Sequence, residues 1–383
     1  MVVKEAGKIF SDLLTLLCES DILEIQYYLY LNIITNNIYK KESGAVGMEK
    51  GRNNRNSEER RPILALGELL VDLIPGREGM RIEDAGPVVK TASGSAGIFA
   101  CAATLLGGRG GFIGKVGRDS LSRMAAGTLR SQGVDLSRLI VSDEGQMGLA
   151  FLEYLPEGRN YQYYRKNSVG SLLRASELDA AYIGGAYAVH FPGMLLELTE
   201  EMRGACQRLV EIARKNGILV SFDPNIRREL SSDSAALERM LWAVRHADVV
   251  APTLSEGQAI TGETTIGGVL RALHAMGPQV VALTRDKDGA VLSRGGQVAV
   301  AAGIDEEPVD PTGAGDTLAA ALCVGLQEDM PLERLAAFCN CAGTLVITKK
   351  GAIGMALPRR EQVDAMVESG VCQVECMPLE SIA

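Results

Sequence analysis

From residue 63 onward, short continuous apolar runs alternate with longer helical patterns, and no other feature of this chain constrains its fold as much. The apolar runs are 63–66, 111–113, 188–191, 218–222, 248–251, 280–283 and 290–293. Helical patterns lie between them, for example at 199–215 and 234–245. Short strands that are apolar on both faces must be covered on both faces. The predicted fold class is therefore α/β: a doubly wound, mostly parallel sheet with helices on both sides. Segments 73–92 and 146–168 alternate instead, and the second contains a hairpin candidate with its turn at 156–160. Together they predict a small β-lid over the carboxyl edge of the sheet. Polar residues cluster just after strand ends: Glu68 and Asp72, Asp223 and Asn225, Glu256, and Asp286. Ligands bind at that edge in open α/β sheets.

The body is expected to span 61–370 as one domain, with a tail at 371–383. Residues 1–60 differ in composition. The stretch 25–39 is uncharged but too short and polar for a membrane span of ~20 apolar residues. A charged segment at 49–61 reads as a linker. Two readings of the extension stand side by side: a start at Met48 with a mis-assigned upstream part, or an accessory helical region that binds a partner. The first predicts that protein from the native organism has the mass of a chain starting at Met48; an intact mass matching all 383 residues overturns it.

A net charge of −9 argues against nucleic acid or an anionic membrane as the main partner. The 8 cysteines include no CxxC pair and the 3 histidines are scattered, so neither a zinc site nor a disulfide framework is expected. Buried free thiols in a reducing cytoplasm fit this usage. Nothing resembles a cleavable signal peptide, because Glu5 and Asp12 interrupt the start. Gly114-Lys115 lacks the rest of a P-loop, and Gly108-Arg109-Gly110 lacks the third glycine of a dinucleotide fingerprint.

The stretch 310–322 reads DPTGAGDTLAAAL. Three small residues, Gly313, Ala314 and Gly315, precede Asp316 and an Ala-rich helical pattern. Backbone N–H groups and the helix dipole favour a phosphoryl group at such a helix start. A carboxylate one step further on could take a proton from an attacking hydroxyl. A Gly-rich turn with an Asp N-cap would leave a similar trace.

This stretch resembles the C-terminal signature of the PfkB, or ribokinase-like, carbohydrate kinases, with Pro311 where Thr is common. The resemblance covers about 62–360. It implies that Asp316 is the catalytic base and that the amides of Gly313, Ala314 and Gly315 hold the transferring phosphate. It implies a sugar-binding role for Asp72, and close backbone approach of Gly94 to the ligand. Tyr163 and Arg165, in Tyr-Tyr-Arg-Lys-Asn-Ser, resemble the lid strand of fructokinases and more closely that of 2-keto-3-deoxygluconate kinases, where the Arg meets a carboxylate. Asn225 and Arg227 match the Asp-Pro-Asn-x-Arg motif of both groups. Glu256 and Asp310 are implied at Mg²⁺ and a monovalent cation such as K⁺, with Thr253 replacing a family Asn. Thr284, Asp286, Gly289 and Asn340 are implied at the nucleotide, with Asp286 replacing a Gly. Ile98 stands where the family places a sugar-binding Asn. The implied lid also forms a homodimer interface in relatives.

The resulting expectation is an ATP-dependent kinase acting on a primary hydroxyl of a ketose or a 2-keto-3-deoxy sugar acid, with Tyr163 and Arg165 tilting toward the acid. A nucleoside kinase of the same fold and a catalytically silent sugar- or nucleotide-binding protein are the alternatives.

Overall fold

The computed structural model describes residues 60–77, 79–155, 158–226 and 235–383. Expectations placed on the N-terminal extension lie outside the described residues. In chain order the strands are β1 (Ile63–Leu66), β2 (Leu70–Pro75), β3 (Val88–Ser93), β4 (Gly110–Val116), β5 (Leu139–Val141), β6 (Gly148–Leu155) and β7 (Gly158–Tyr164). They continue as β8 (Ala188–Pro192), β9 (Leu219–Asp223), β10 (Val249–Val250), β11 (Val280–Thr284), β12 (Ala290–Arg294), β13 (Gln297–Ala301) and β14 (Val374–Pro378).

The strands form a 10-stranded sheet, ordered β14-β13-β12-β11-β10-β9-β8-β1-β4-β5, and a separate 4-stranded sheet, ordered β3-β2-β6-β7. From β5 to β11 the large sheet is parallel. β11, β12, β13 and β14 follow one another antiparallel. The central strands read as uninterrupted apolar runs because both faces are covered; every residue of β1 is at most 1% exposed. One apolar layer gathers Phe99, Leu106, Leu322 and Phe338, and the other gathers Leu66, Phe191, Leu209 and Leu273.

Two kinds of helix make these layers. Helix Glu200–Lys215 is amphipathic: Thr199 accepts from the Met202 N–H at its start, acids occupy its first turn, and Arg214 and Lys215 occupy its last. It buries Met202, Ala205, Leu209 and Ile212 on one side. Helix Ala314–Gln327 is buried from Asp316 through Leu326, so it needs no polar face. It packs between helices Ser95–Leu105 and Leu332–Ile347. Small residues permit that approach; a β-carbon at Gly325 would meet Leu335 Cδ1 at 2.3 Å.

The β-lid forms as expected, but two boundaries differ. Leu155 pairs with Gly158, so 158–160 belong to β7 and the hairpin loop is shorter than 156–160. Residues 371–383 are not a tail: Val374–Pro378 pairs along the whole of β13 and closes that edge of the large sheet. Its side chains are largely exposed, so no apolar run announced it. An unpaired edge invites association with other chains. Removing 371–383 is expected to lower stability by about 1–3 kcal/mol and to speed aggregation, as read by thermal melting and light scattering; an unchanged melting temperature would contradict the pairing.

Candidate active site

The carboxyl ends of β9, β10 and β11, the start of helix Ala314–Gln327 and the lid line a cavity of about 950 Å³. Asp72, Gly94, Tyr163, Arg165, Asn225, Glu256, Thr284, Asp286, Gly289, Gly313, Ala314, Gly315, Asp316 and Asn340 all line it. Residues spread over most of the body thus converge on one place. Arg227 lies outside the described residues. Asp310 sits just beneath the lining and is fully buried.

Helix Ala314–Gln327 begins on this cavity. Its N-cap is Gly313, held at φ +86 and without a side-chain cap, so the chain turns into the helix through a conformation that favours glycine. Asp316 is therefore a first-turn residue rather than the N-cap. A β-carbon at Gly315 would meet nothing within 4 Å, which leaves room for a ligand over the first turn. These are the ingredients of an anion site: uncapped first-turn amides, the positive end of a buried helix, and open space.

The Asp316 carboxylate is buried and accepts a hydrogen bond from the Ser95 hydroxyl through Oδ1. Ser95 Oγ in turn accepts from Asn225 Nδ2 at 3.2 Å. Asn225 stands at φ +39, in an Asx turn in which Asp223 Oδ1 accepts from the Asn225 N–H at 3.0 Å. The next amide, Ile226 N–H, donates to Glu256 Oε1 at 2.7 Å.

Glu256 and Asp310, the residues expected at cations, carry protein donors instead. Glu256 Oε2 accepts from the Thr253 N–H and hydroxyl at 2.8 and 2.9 Å, in the capping box of helix Leu254–Thr261. Asp310 Oδ1 accepts from the Thr312 N–H and hydroxyl at 3.0 and 2.7 Å. Its Oδ2 accepts from the Tyr154 hydroxyl at 2.6 Å and the Gly351 N–H at 3.0 Å. Four donors fill the four acceptor positions of that carboxylate. Among the described residues no group of three or more His, Cys, Asp or Glu is placed to hold a metal ion. Asp310 thus ties the lid and the Gly351 segment to the 310–312 loop, and Glu256 ties the 223–226 turn to a helix start.

On the lid side, Asp72 is buried and its carboxyl is pushed up to about 7, first by desolvation and further by the nearby Asp310 charge, against a lowering hydrogen bond with Ser93. β7 turns Tyr161 and Tyr163 to the same face, their rings stacked at 6.0 Å. Arg165 is 5% exposed and forms a buried ion pair with Glu68, which also accepts from Ser168. Its guanidinium lies 5.4 Å from the Tyr163 ring centre. Among the described residues, Nε and Nη1 of Arg165 have no hydrogen-bond partner.

The departures at Thr253 and Asp286 keep the local backbone. Thr253 caps its helix. Asp286 adopts φ +50, the region a Gly would occupy and one that Asp tolerates better than most residues. Asn340 Nδ2 donates to the Ala302 carbonyl at 2.9 Å, which fixes its amide at the cavity wall. Ile98 is buried with its Cγ2 3.0 Å from where a β-carbon at Gly313 would stand, so the apolar side chain supports the loop from below.

Sequence reading assigned no role to Ser95, Tyr154 or Glu68. Ser95 and Asp316 are 221 positions apart, and Tyr154 and Asp310 are 156 apart, so no local pattern announces either pair. Glu68 carried a signal, a carboxylate just after a buried strand.

The pattern of the pfkB family of carbohydrate kinases matches residues 60–360. Fructokinase-1 of Oryza sativa subsp. japonica is 31% identical over 317 residues, covering 80% of this chain and 98% of that protein. A structure of ribokinase II from E. coli in complex with ATP and Mg²⁺ superposes with a TM-score of 0.76 at 25% identity, over 81% of this chain and 99% of that one. Fructokinase from Vibrio cholerae O395, in its fructose-, ADP- and calcium-bound form, gives 0.71 at 25% identity over the same shares.

The Asp72 environment has a measurable consequence. The folded protein keeps this proton up to about pH 7, whereas an unfolded chain releases it near its ordinary value of 3.8. Between those values the folded state binds more protons, so the Asp72 contribution to stability is present below the lower value and is lost as pH rises through the upper one. Asp72→Asn is therefore expected to melt at a higher temperature than the parent at pH 8, with a smaller difference at pH 5. A variant that is less stable at pH 8 would contradict the assignment.

Proposed function

The chain belongs to the pfkB family of carbohydrate kinases, and we propose that it transfers the γ-phosphoryl group of ATP to a primary hydroxyl of a neutral ketose, with Asp316 as general base. The observation that carries this reading is the buried Asp316 in the first turn of an uncapped helix whose Gly-Ala-Gly start lines the same cavity as Asp72.

The steps follow from the residues. A sugar hydroxyl placed at Asp316 gives its proton to that carboxylate as its oxygen bonds to the γ-phosphorus, and the bond from the γ-phosphorus to the β-phosphate oxygen breaks to release ADP. The amides of the 313–315 segment and the helix dipole receive the charge that develops on the phosphoryl oxygens. Asp72 orients the sugar by accepting hydroxyl hydrogen bonds, a task for its ionised form. Thr284, Gly289 and Asn340 form the nucleotide end of the cavity. Mg²⁺ bound with the nucleotide would neutralise the polyphosphate, supported through water by Glu256. The lid excludes water from the transfer.

The Glu68–Arg165 pair bears on the sugar. Glu68 already balances the buried Arg165 charge, so a substrate carboxylate would add an unmatched charge to a buried group. Two Arg165 nitrogens still lack partners among the described residues, and sugar hydroxyl oxygens would satisfy them. Similarity to fructokinases points the same way. The same two donors support a second reading, a 2-keto-3-deoxy sugar acid.

ADP release with fructose, 2-keto-3-deoxygluconate, ribose and adenosine separates the readings. Turnover is expected with fructose, with KM for the sugar rising as pH falls below about 7 and Asp72 takes up its proton. Asp316→Asn is expected to lose roughly 100-fold or more of kcat. Preference for the acid would establish the second reading. Turnover on adenosine alone would indicate a nucleoside kinase, no turnover on any acceptor would favour a silent binding protein, and full activity of Asp316→Asn would remove the base assignment.

A further inference from the structure

We infer that Ser95 is a positioning residue for the phosphoryl-transfer base, an inference that rests on the reading of Asp316 as that base. Ser95 opens helix Ser95–Leu105, directly after Gly94. Gly94 holds φ +109, and a β-carbon there would meet the Glu68 carbonyl oxygen at 2.5 Å. The chain therefore turns sharply against the connection between β1 and β2 before the helix starts, and this turn sets the Ser95 hydroxyl at the cavity.

The hydroxyl has one proton to give, and it goes to Asp316 Oδ1. Its oxygen is held by Asn225 Nδ2 at 3.2 Å. That second bond selects the rotor, because a hydroxyl accepting from Asn225 points its own proton away from the amide and toward the carboxylate. Asn225 is itself constrained by the Asx turn on Asp223 and by the neighbouring Ile226 N–H bond to Glu256. A directional line thus runs from the end of β9 through Asn225 and Ser95 to Asp316. With Oδ1 engaged, the carboxylate cannot rotate freely about its Cβ–Cγ bond, which holds its plane in one orientation toward the cavity. Misplacement of a reacting group by about 1 Å costs as much as 100-fold in rate, so a tether of this kind matters to kcat more than to binding.

The same helix presents Ile98 one turn later, with an apolar side chain against Gly313. Ile98 offers no hydrogen bond to the cavity, so Ser95 is the side chain through which this helix engages the polar machinery.

The test measures steady-state kinetics of the full chain with ATP and its best sugar. Ser95→Ala is expected to lower kcat roughly 10- to 100-fold while KM for sugar and for ATP stays within about twofold. Ser95→Thr, which keeps the hydroxyl, is expected to recover most of the loss. Asn225→Gly, which keeps the left-handed backbone but removes the amide, is expected to lower kcat as well. Ser95→Ala with kcat within twofold of the parent overturns the inference. A joint collapse of kcat and both KM values that Ser95→Thr does not rescue also overturns it, by marking Ser95 as structural. An Asp316→Asn variant assayed alongside keeps the two claims apart: if it stays active the base assignment fails, whereas an inactive Asp316→Asn beside an unaffected Ser95→Ala rejects the tether alone.

Discussion

A carboxylate shut away from water must find all its hydrogen bonds inside the protein, and Asp310 does so by drawing donors from its own loop and from two distant parts of the chain. Thr312 is local, Tyr154 comes from the lid, and Gly351 follows helix Leu332–Ile347. The lid is thereby fixed to the loop that starts helix Ala314–Gln327, and the loop is fixed to the helix behind it. The orientation of the Gly313 turn, the height of the lid over the cavity and the placement of Asp316 all depend on that one buried charge. Burial and the Asp310 charge also hold the Tyr154 hydroxyl protonated, well above its ordinary range, so the donor in this contact persists across physiological pH.

Several other carboxylates at the cavity divide into those held by protein donors and those that stand against its open space. Glu256 secures a helix start and the 223–226 turn. Glu68 neutralises Arg165. Asp223 closes the Asx turn. Asp72 faces the cavity at the cost of an unfavourable charge in a dry place, and Asp316 sits in the field of a helix N-terminus that favours its charge. Buried acids are expensive, and here each has either a set of donors or a position against the ligand space.

Much of the fold was legible because its signals are local. Apolar runs marked the parallel strands, and the small residues before Asp316 marked the turn at which helix Ala314–Gln327 opens on the cavity. Strands β13 and β14 were missed for a physical reason: β14 is the sheet edge and exposes most of its side chains, and β13 joins the sheet through antiparallel pairing with β12 and β14 rather than through a helical crossover. The site followed the same division. Residues announced by a glycine turn or a strand end converge on the cavity, whereas Ser95 and Tyr154 carried no local signal, since their contacts are with partners far away in sequence. What the sequence could not show at Glu256 and Asp310 is the donors that surround each carboxylate, because those come from Ile226, Tyr154 and Gly351, far away along the chain.

Ile98 and Gly313 share one volume. The space above the Ile98 methyl is the space a β-carbon at 313 would need. A side chain at 313 would therefore meet two separate obstacles, the left-handed backbone at φ +86 and the branched Ile98. Shortening residue 98 would remove only the second, so the residue that replaces a polar side chain at the cavity also narrows what the phosphate-facing turn could accept.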